Sequence, residues 1–196
     1  PTRRSSDLHI MESVDASLKA LQTDHVESLL LHRPDALMEP DEVARAFDEL
    51  YAAGKVLEFG VSNQNPALMS RLSAHLNVPL ATDQVQMSAA FTPMFDSFFN
   101  ANMQNDAGVM RDGGILEYCA EHDMAIQAWS SHQHGYFGGT FLGNPDYAEL
   151  NEALARIAEE HDVTPSAVAI NWILRYPAKM QAIIGTMNPQ HLKEAA

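Results

Sequence analysis

Five short apolar runs, set among stretches with helical spacing, limit this chain to few folds. The runs are Val26 through Leu29-Leu30-Leu31, Val56-Leu57-Glu58-Phe59-Gly60-Val61, Ala81 to Met87, Met124-Ala125-Ile126-Gln127-Ala128-Trp129, and Gln181-Ala182-Ile183-Ile184-Gly185. Each is short and bounded by turn-forming residues, so each reads as a strand. The first is apolar enough to be buried on both faces. Around them lie helical stripes: Ile10, Val14, Leu18 and Leu21 over residues 8–22, then Val43, Phe47, Leu50 and Tyr51, then Leu68, Met69, Leu72 and Leu76. Later stripes are Ile115, Leu116 and Cys119, then Leu150, Leu154 and Ile157, then Val168, Trp172 and Ile173. Alternation of helix and strand demands a parallel sheet with right-handed crossovers.

Punctuation supports this division. Asp41 after Pro40 reads as a helix N-cap and Gly54 as a helix stop. Asn65-Pro66, Thr164-Pro165 and Asn188-Pro189 each place a capping residue before a proline at the first helical position. Residues 88–108 have no clean period and are rich in Phe, Met and Asn, so a long loop is expected. Its aromatics form either an apolar wall over a pocket or a satellite core. Residues 1–7 have no periodicity and concentrate basic charge. They are set aside as an appended or cut segment, or an ordinary disordered tail, which leaves residues 8–196 as the folding unit.

Charge narrows the partners. Lys and Arg number 12 against 26 Asp and Glu, a formal net charge of −14. So acidic a surface repels nucleic acid and anionic membrane, and neither is expected as a partner. The single cysteine, Cys119, fits a reducing compartment, and a cytoplasmic location is expected. No apolar run approaches the ~20 residues of a membrane-spanning helix, and no signal peptide is visible.

The strand ends are where the sequence turns chemical. They carry His32, Ser62-Asn63, Gln84 or Gln86, Trp129-Ser130 and Gly185-Thr186. Polar groups at the carboxyl ends of successive parallel strands describe the active rim of a (β/α)8 barrel. Only five strands are present, whereas a full barrel has eight in typically ~250 residues. The expected fold is therefore α/β, an incomplete (β/α)8 TIM barrel. No G-x-G-x-x-G turn follows a strand, so a Rossmann site is not indicated. Taken alone, His32 is open to two readings, a strand-capping histidine or a catalytic one.

Five motifs in order resemble the aldo-keto reductase family, near its bacterial oxidoreductase branch. They are Leu30-Leu31-His32-Arg33-Pro34-Asp35, Gly54-Lys55-Val56 leading to Phe59-Gly60-Val61-Ser62-Asn63, Asp83-Gln84-Val85, Ala128-Trp129-Ser130, and Ile183-Ile184-Gly185-Thr186. The resemblance covers nearly all of residues 8–196 and implies strands four to eight of the barrel with their helices. It implies reduction of aldehydes or ketones to alcohols by hydride from NADPH, with a small carbonyl compound as substrate. His32 then matches the histidine that polarises the carbonyl. A neutral imidazole offers one N–H to a developing alkoxide without a full charge beside the hydride. Ser62, Asn63 and Gln84 match the residues that grip the nicotinamide carboxamide, whose C=O and NH2 need both donors and acceptors. Trp129 matches the aromatic that stacks on the ring, and Ser130 and Ser131 begin the loop that crosses the pyrophosphate.

Gly185, Thr186 and Met187 match the approach to the adenosine site, ahead of a helix whose N-terminus favours phosphate. His191 and Glu194 match positions where the family usually has an arginine for the 2′-phosphate and a glutamate for the adenine. Histidine lacks the guanidinium's bidentate fork, which leaves NADH beside NADPH as an alternative. The family's proton-donating tyrosine, its lysine and its orienting aspartate lie on the first three strand–helix units, and no tyrosine here matches that motif. The resemblance therefore implies a fragment that does not turn over alone. Two other readings stand beside it. One is a non-catalytic subunit that binds a nicotinamide cofactor. The other is a metal-dependent barrel hydrolase using the His132-x-His134 spacing, although no metal site is expected.

Overall fold

The computed structural model describes residues 6–195. Its elements run α1 (Ser6–Leu21), β1 (Val26–Leu31), α2 (Pro40–Ala52), β2 (Val56–Ser62), α3 (Pro66–Ser73), β3 (Leu80–Gln86) and α4 (Pro93–Phe99). Then follow α5 (Ile115–Glu121), β4 (Ala125–Trp129), α6 (Ala148–His161), α7 (Pro165–Leu174), β5 (Met180–Ala182) and α8 (Pro189–Ala195). The strands stand in the sheet in chain order, β1-β2-β3-β4-β5. β1 and β2 run parallel, from Val26 opposite Val56 to Leu31 opposite Val61. β4 and β5 do likewise, from Ile126 opposite Met180 to Ala128 opposite Ala182. The expected parallel α/β alternation is thus present. The chain divides into two compact units, one ending at Asp83 and the other starting at Gln84.

In the first unit, α2 lays Val43, Phe47 and Leu50 against β2, and Phe47 stacks on Phe59 with ring centroids 4.0 Å apart. Tyr51 leaves the expected stripe and is half exposed. Asp41 is not the cap of α2. Glu39 holds that position without a side-chain bond, and the Asp41 carboxylate instead meets His75 Nδ1 at 2.6 Å. Gly54 adopts φ +67° just past α2, as a helix stop requires. The Asn65 side chain caps α3 by accepting from the Leu68 N–H at 3.0 Å. The leucines of β1 are half-buried rather than enclosed on both faces, because β1 stands at one end of the strand order. α1 begins earlier than periodicity suggested, since Asp7 pairs with Arg45 at 3.0 Å and anchors the first turn. Of the seven residues expected to be a tail, 1–5 lie outside the described residues, and Ser6 and Asp7 open the helix.

Gly60 explains how β2 and β3 approach. A Cβ at this position would overlap the Thr82 side chain and sit 2.7 Å from the Thr82 carbonyl oxygen. Only glycine lets the two backbones lie so close.

In the second unit, residues 88–108 are not one loop. Thr92-Pro93 starts the seven-residue α4, and Asp106–Gly108 forms a 3-10 turn. A helix of two turns is too short to show a period in sequence. Phe95 meets Trp172 edge-on at 5.9 Å and Tyr176 at 5.2 Å, so this ring belongs to a satellite core. Phe98 and Phe99 remain exposed. Thr164 caps α7 through the Ala167 N–H at 3.1 Å. Phe141, Leu154 and Ala169 form a further buried cluster. β5 is shorter than its apolar run, but the Ile183 N–H still donates to the Ala128 carbonyl at 2.9 Å. Among the described residues, no helix is long and apolar enough to cross a membrane.

Candidate functional site

The carboxyl ends of β1 and β2 carry the polar residues of the first unit. His32 follows β1 directly, because Pro34 cannot continue the ladder, and its side chain is exposed. It lines a cavity of about 780 Å³ between β1 and α1, with Leu29, Leu31, Ile10 and Val14 as apolar walls. Ser62 closes β2 and is buried. Asn63 then turns the chain at φ +55°, a conformation that asparagine tolerates better than most residues. Its Nδ2 donates to Ser62 Oγ at 2.6 Å, which fixes the two side chains relative to each other.

The second unit carries the rest. Gln84 lies in β3 and donates from Nε2 to Gln127 Oε1 at 2.8 Å, and Gln127 donates in turn to Gln181 Oε1 at 2.9 Å. This amide ladder across β3, β4 and β5 orients Gln84. Trp129 ends β4, half-buried, with Tyr136 edge-on at 5.9 Å. Ser130 turns at φ +56° and its hydroxyl donates to Gln133 Oε1 at 2.7 Å. Ser131 is buried, and its hydroxyl lies 3.0 Å from the carbonyls of both Ala128 and Ile183, so it ties β4 to the chain beyond β5. Thr186 Oγ1 accepts from the Asn188 N–H at 3.1 Å, Gly185 is exposed, and Met187 is fully exposed. His191 and Glu194 sit one turn apart on α8, with the Glu194 carboxylate accepting from Gln190 at 2.9 Å.

These side chains suit a nicotinamide cofactor. In the first unit the Ser62 hydroxyl and the Asn63 amide offer both donors and acceptors, as a carboxamide needs; in the second unit Gln84 offers a further amide and Trp129 an indole face at a strand end. They do not suit a metal. Among the described residues, no three His, Cys, Asp or Glu side chains converge. His132 Nε2 lies 3.0 Å from Ser166 Oγ, burial pushes its pKa down, and the His134 ring packs on Tyr147.

Three residues that the sequence reading gives no role stand out here. Asp83 is fully buried in β3, and its pKa is pushed up to about 7 by that burial. Gln64, just past the β2 turn, is also buried. Gln127 orients Gln84. The signal for Asp83 was a carboxylate inside an apolar strand. Nothing local marked the other two.

The chain is similar in sequence and fold to known proteins. A sequence model of the Aldo/keto reductase family matches residues 2–196. A 6-dehydroglucose reductase of Agrobacterium fabrum is 39% identical over 188 residues, which cover 96% of this chain and 56% of that protein. Oxidoreductase YdhF of Escherichia coli is 36% identical over 189 residues, covering 95% and 56%. The chain therefore spans little more than half the length of these relatives. Among solved structures, a thermostable aldo-keto reductase in complex with epalrestat superposes with a TM-score of 0.71 at 24% identity, covering 98% of this chain and 60% of that one. A Klebsiella pneumoniae aldo/keto reductase in complex with NADP and acetate gives 0.68 at 21%, covering 94% and 56%. The five-stranded parallel sheet matches the barrels of these neighbours, and the chain belongs to the aldo/keto reductase family of oxidoreductases.

Proposed function

We propose that this chain carries the cofactor-binding strand ends of an NAD(P)H-dependent carbonyl reductase that takes aldehydes or ketones to alcohols. The observation that carries the reading is the Ser62–Asn63 pair, locked by a 2.6 Å hydrogen bond at the carboxyl end of β2 within a family match over residues 2–196. A reduced nicotinamide bound there supplies the hydride. Ser62, Asn63 and Gln84 hold the carboxamide and so choose the ring face that is presented. Trp129 stacks on the ring. Ser130 and Ser131 line the pyrophosphate path, and Gly185, Thr186, Met187, His191 and Glu194 receive the adenosine end. His32 polarises the substrate carbonyl from the rim of its cavity. With His191 in place of a guanidinium, NADPH and NADH bind with similar affinity.

This reading assigns proton delivery to none of the tyrosines of this sequence. Tyr51 lies on α2, Tyr118 on α5, Tyr136 and Tyr147 between β4 and α6, and Tyr176 beyond α7; none ends a strand. The chain alone therefore binds cofactor without turnover.

Calorimetric titration with NADPH and NADH tests this reading. Saturable binding is expected, weakened roughly fivefold or more by Ser62→Ala through loss of one hydrogen bond worth about 1 kcal/mol. Asn63→Gly, which keeps the left-handed turn but removes the amide, is expected to weaken it similarly. Unchanged affinity in both variants contradicts the assignment.

A further inference from the structure

The buried carboxyl of Asp83 has no use in the scheme above. It is the last residue of the first unit, 0% exposed, and neither of its oxygens closes a hydrogen bond of ordinary geometry. The backbone N–H groups of Asn63 and Gln64 nonetheless favour its ionised form, against the effect of burial. Gln64 Oε1 is likewise buried without a donor. A buried acceptor without a partner is costly and rarely survives in a structure without a reason.

Its place in the chain suggests that reason. The two N–H groups belong to the turn that presents Ser62 and Asn63, and that turn runs through the left-handed conformation of Asn63. Asp83 also immediately precedes Gln84. Successive strand residues face opposite sides of the sheet, so Asp83 lies behind the surface on which Gln84 stands.

We propose that Asp83 is a positioning residue whose carboxylate clamps the Asn63–Gln64 backbone from behind, tightening the Ser62–Asn63 grip when it is ionised and releasing it when it is protonated. The inference rests on the cofactor reading of Ser62 and Asn63. An ionised carboxylate accepts from backbone N–H groups about twice as strongly as a neutral one. Burial raises the pKa to about 7, with the Gln64 and Asn63 N–H groups opposing it, so the switch falls near neutrality. No charged side chain is among the causes of that shift. Glu58 on β2 and Arg71 on α3 are exposed, and β4 carries no charged residue. The clamp thus responds to Asp83 alone.

The test is a pH titration of the 15N-labelled chain by NMR, alongside NADPH and NADH affinity over the same range, for the wild type and Asp83→Asn. The expected result has the Asn63 and Gln64 amide protons moving with a midpoint near 7 in the wild type and staying still in the variant. Cofactor affinity rises roughly fivefold through the same range in the wild type only, the worth of one modest hydrogen bond. Wild-type amides that do not move overturn the proposal without reference to any variant. Amides that titrate while affinity stays flat overturn it as well, because the clamp then positions nothing that matters to the ligand. Titrating amides with no cofactor bound at any pH overturn the cofactor reading and leave the backbone clamp supported.

Discussion

Asp83 carries opposing consequences for stability and for binding. Burial pushes its carboxyl up to about 7 in the folded chain, against an ordinary value of 3.8. Between those values the folded state holds more protons than the unfolded one, so stability falls as pH rises through that window. At 1.36 kcal/mol per pKa unit the loss is on the order of 4 kcal/mol. Urea unfolding of the wild type should therefore show a midpoint that drops from pH 4 to 7, and Asp83→Asn should remove that part of the drop. Parallel curves for the two proteins would show that the carboxyl is solvated in solution. His32 and Ser62-Asn63 were legible in sequence because they interrupt apolar runs at strand ends. Gln127 was not, because its amide partners are set by the sheet rather than by its neighbours in sequence, and the burial of Gln64 follows from the turn after β2.

At the level of elements, close approach of β2 and β3 depends on one glycine. Gly60→Ala forces a methyl group into Thr82 and its carbonyl, where backbone cannot yield as a flexible side chain would. The expected cost is roughly 1–3 kcal/mol or more, read as a lowered melting temperature. A wild-type melting curve for this variant would mean that the strands are farther apart than described. Helix and strand order was readable from periodicity, since alternation of 3.6 and 2 survives along most of the chain. The failures have local causes. α4 is too short to show a stripe. Asp41 was outcompeted for the cap because Pro40 already opens the helix, and its carboxylate found His75 instead. β1 looked doubly buried because three leucines in a row carry no information about which strand stands at the end of a sheet.

For the molecule as a whole, the central claim is that the strand ends of this family member bind a nicotinamide cofactor. Fluorescence measures it most directly. Trp129 ends β4 at the place assigned to the ring, whereas Trp172 packs on Phe95 in the satellite core. Replacing Trp172 by Phe keeps an aromatic ring in that core and leaves Trp129 as the only indole. Titrating this variant with NADPH and then NADH should give saturable quenching with both, at affinities within about tenfold of each other, a difference of 1.4 kcal/mol or less. Unquenched Trp129 emission from a folded sample, with either cofactor at millimolar concentration, would contradict the account.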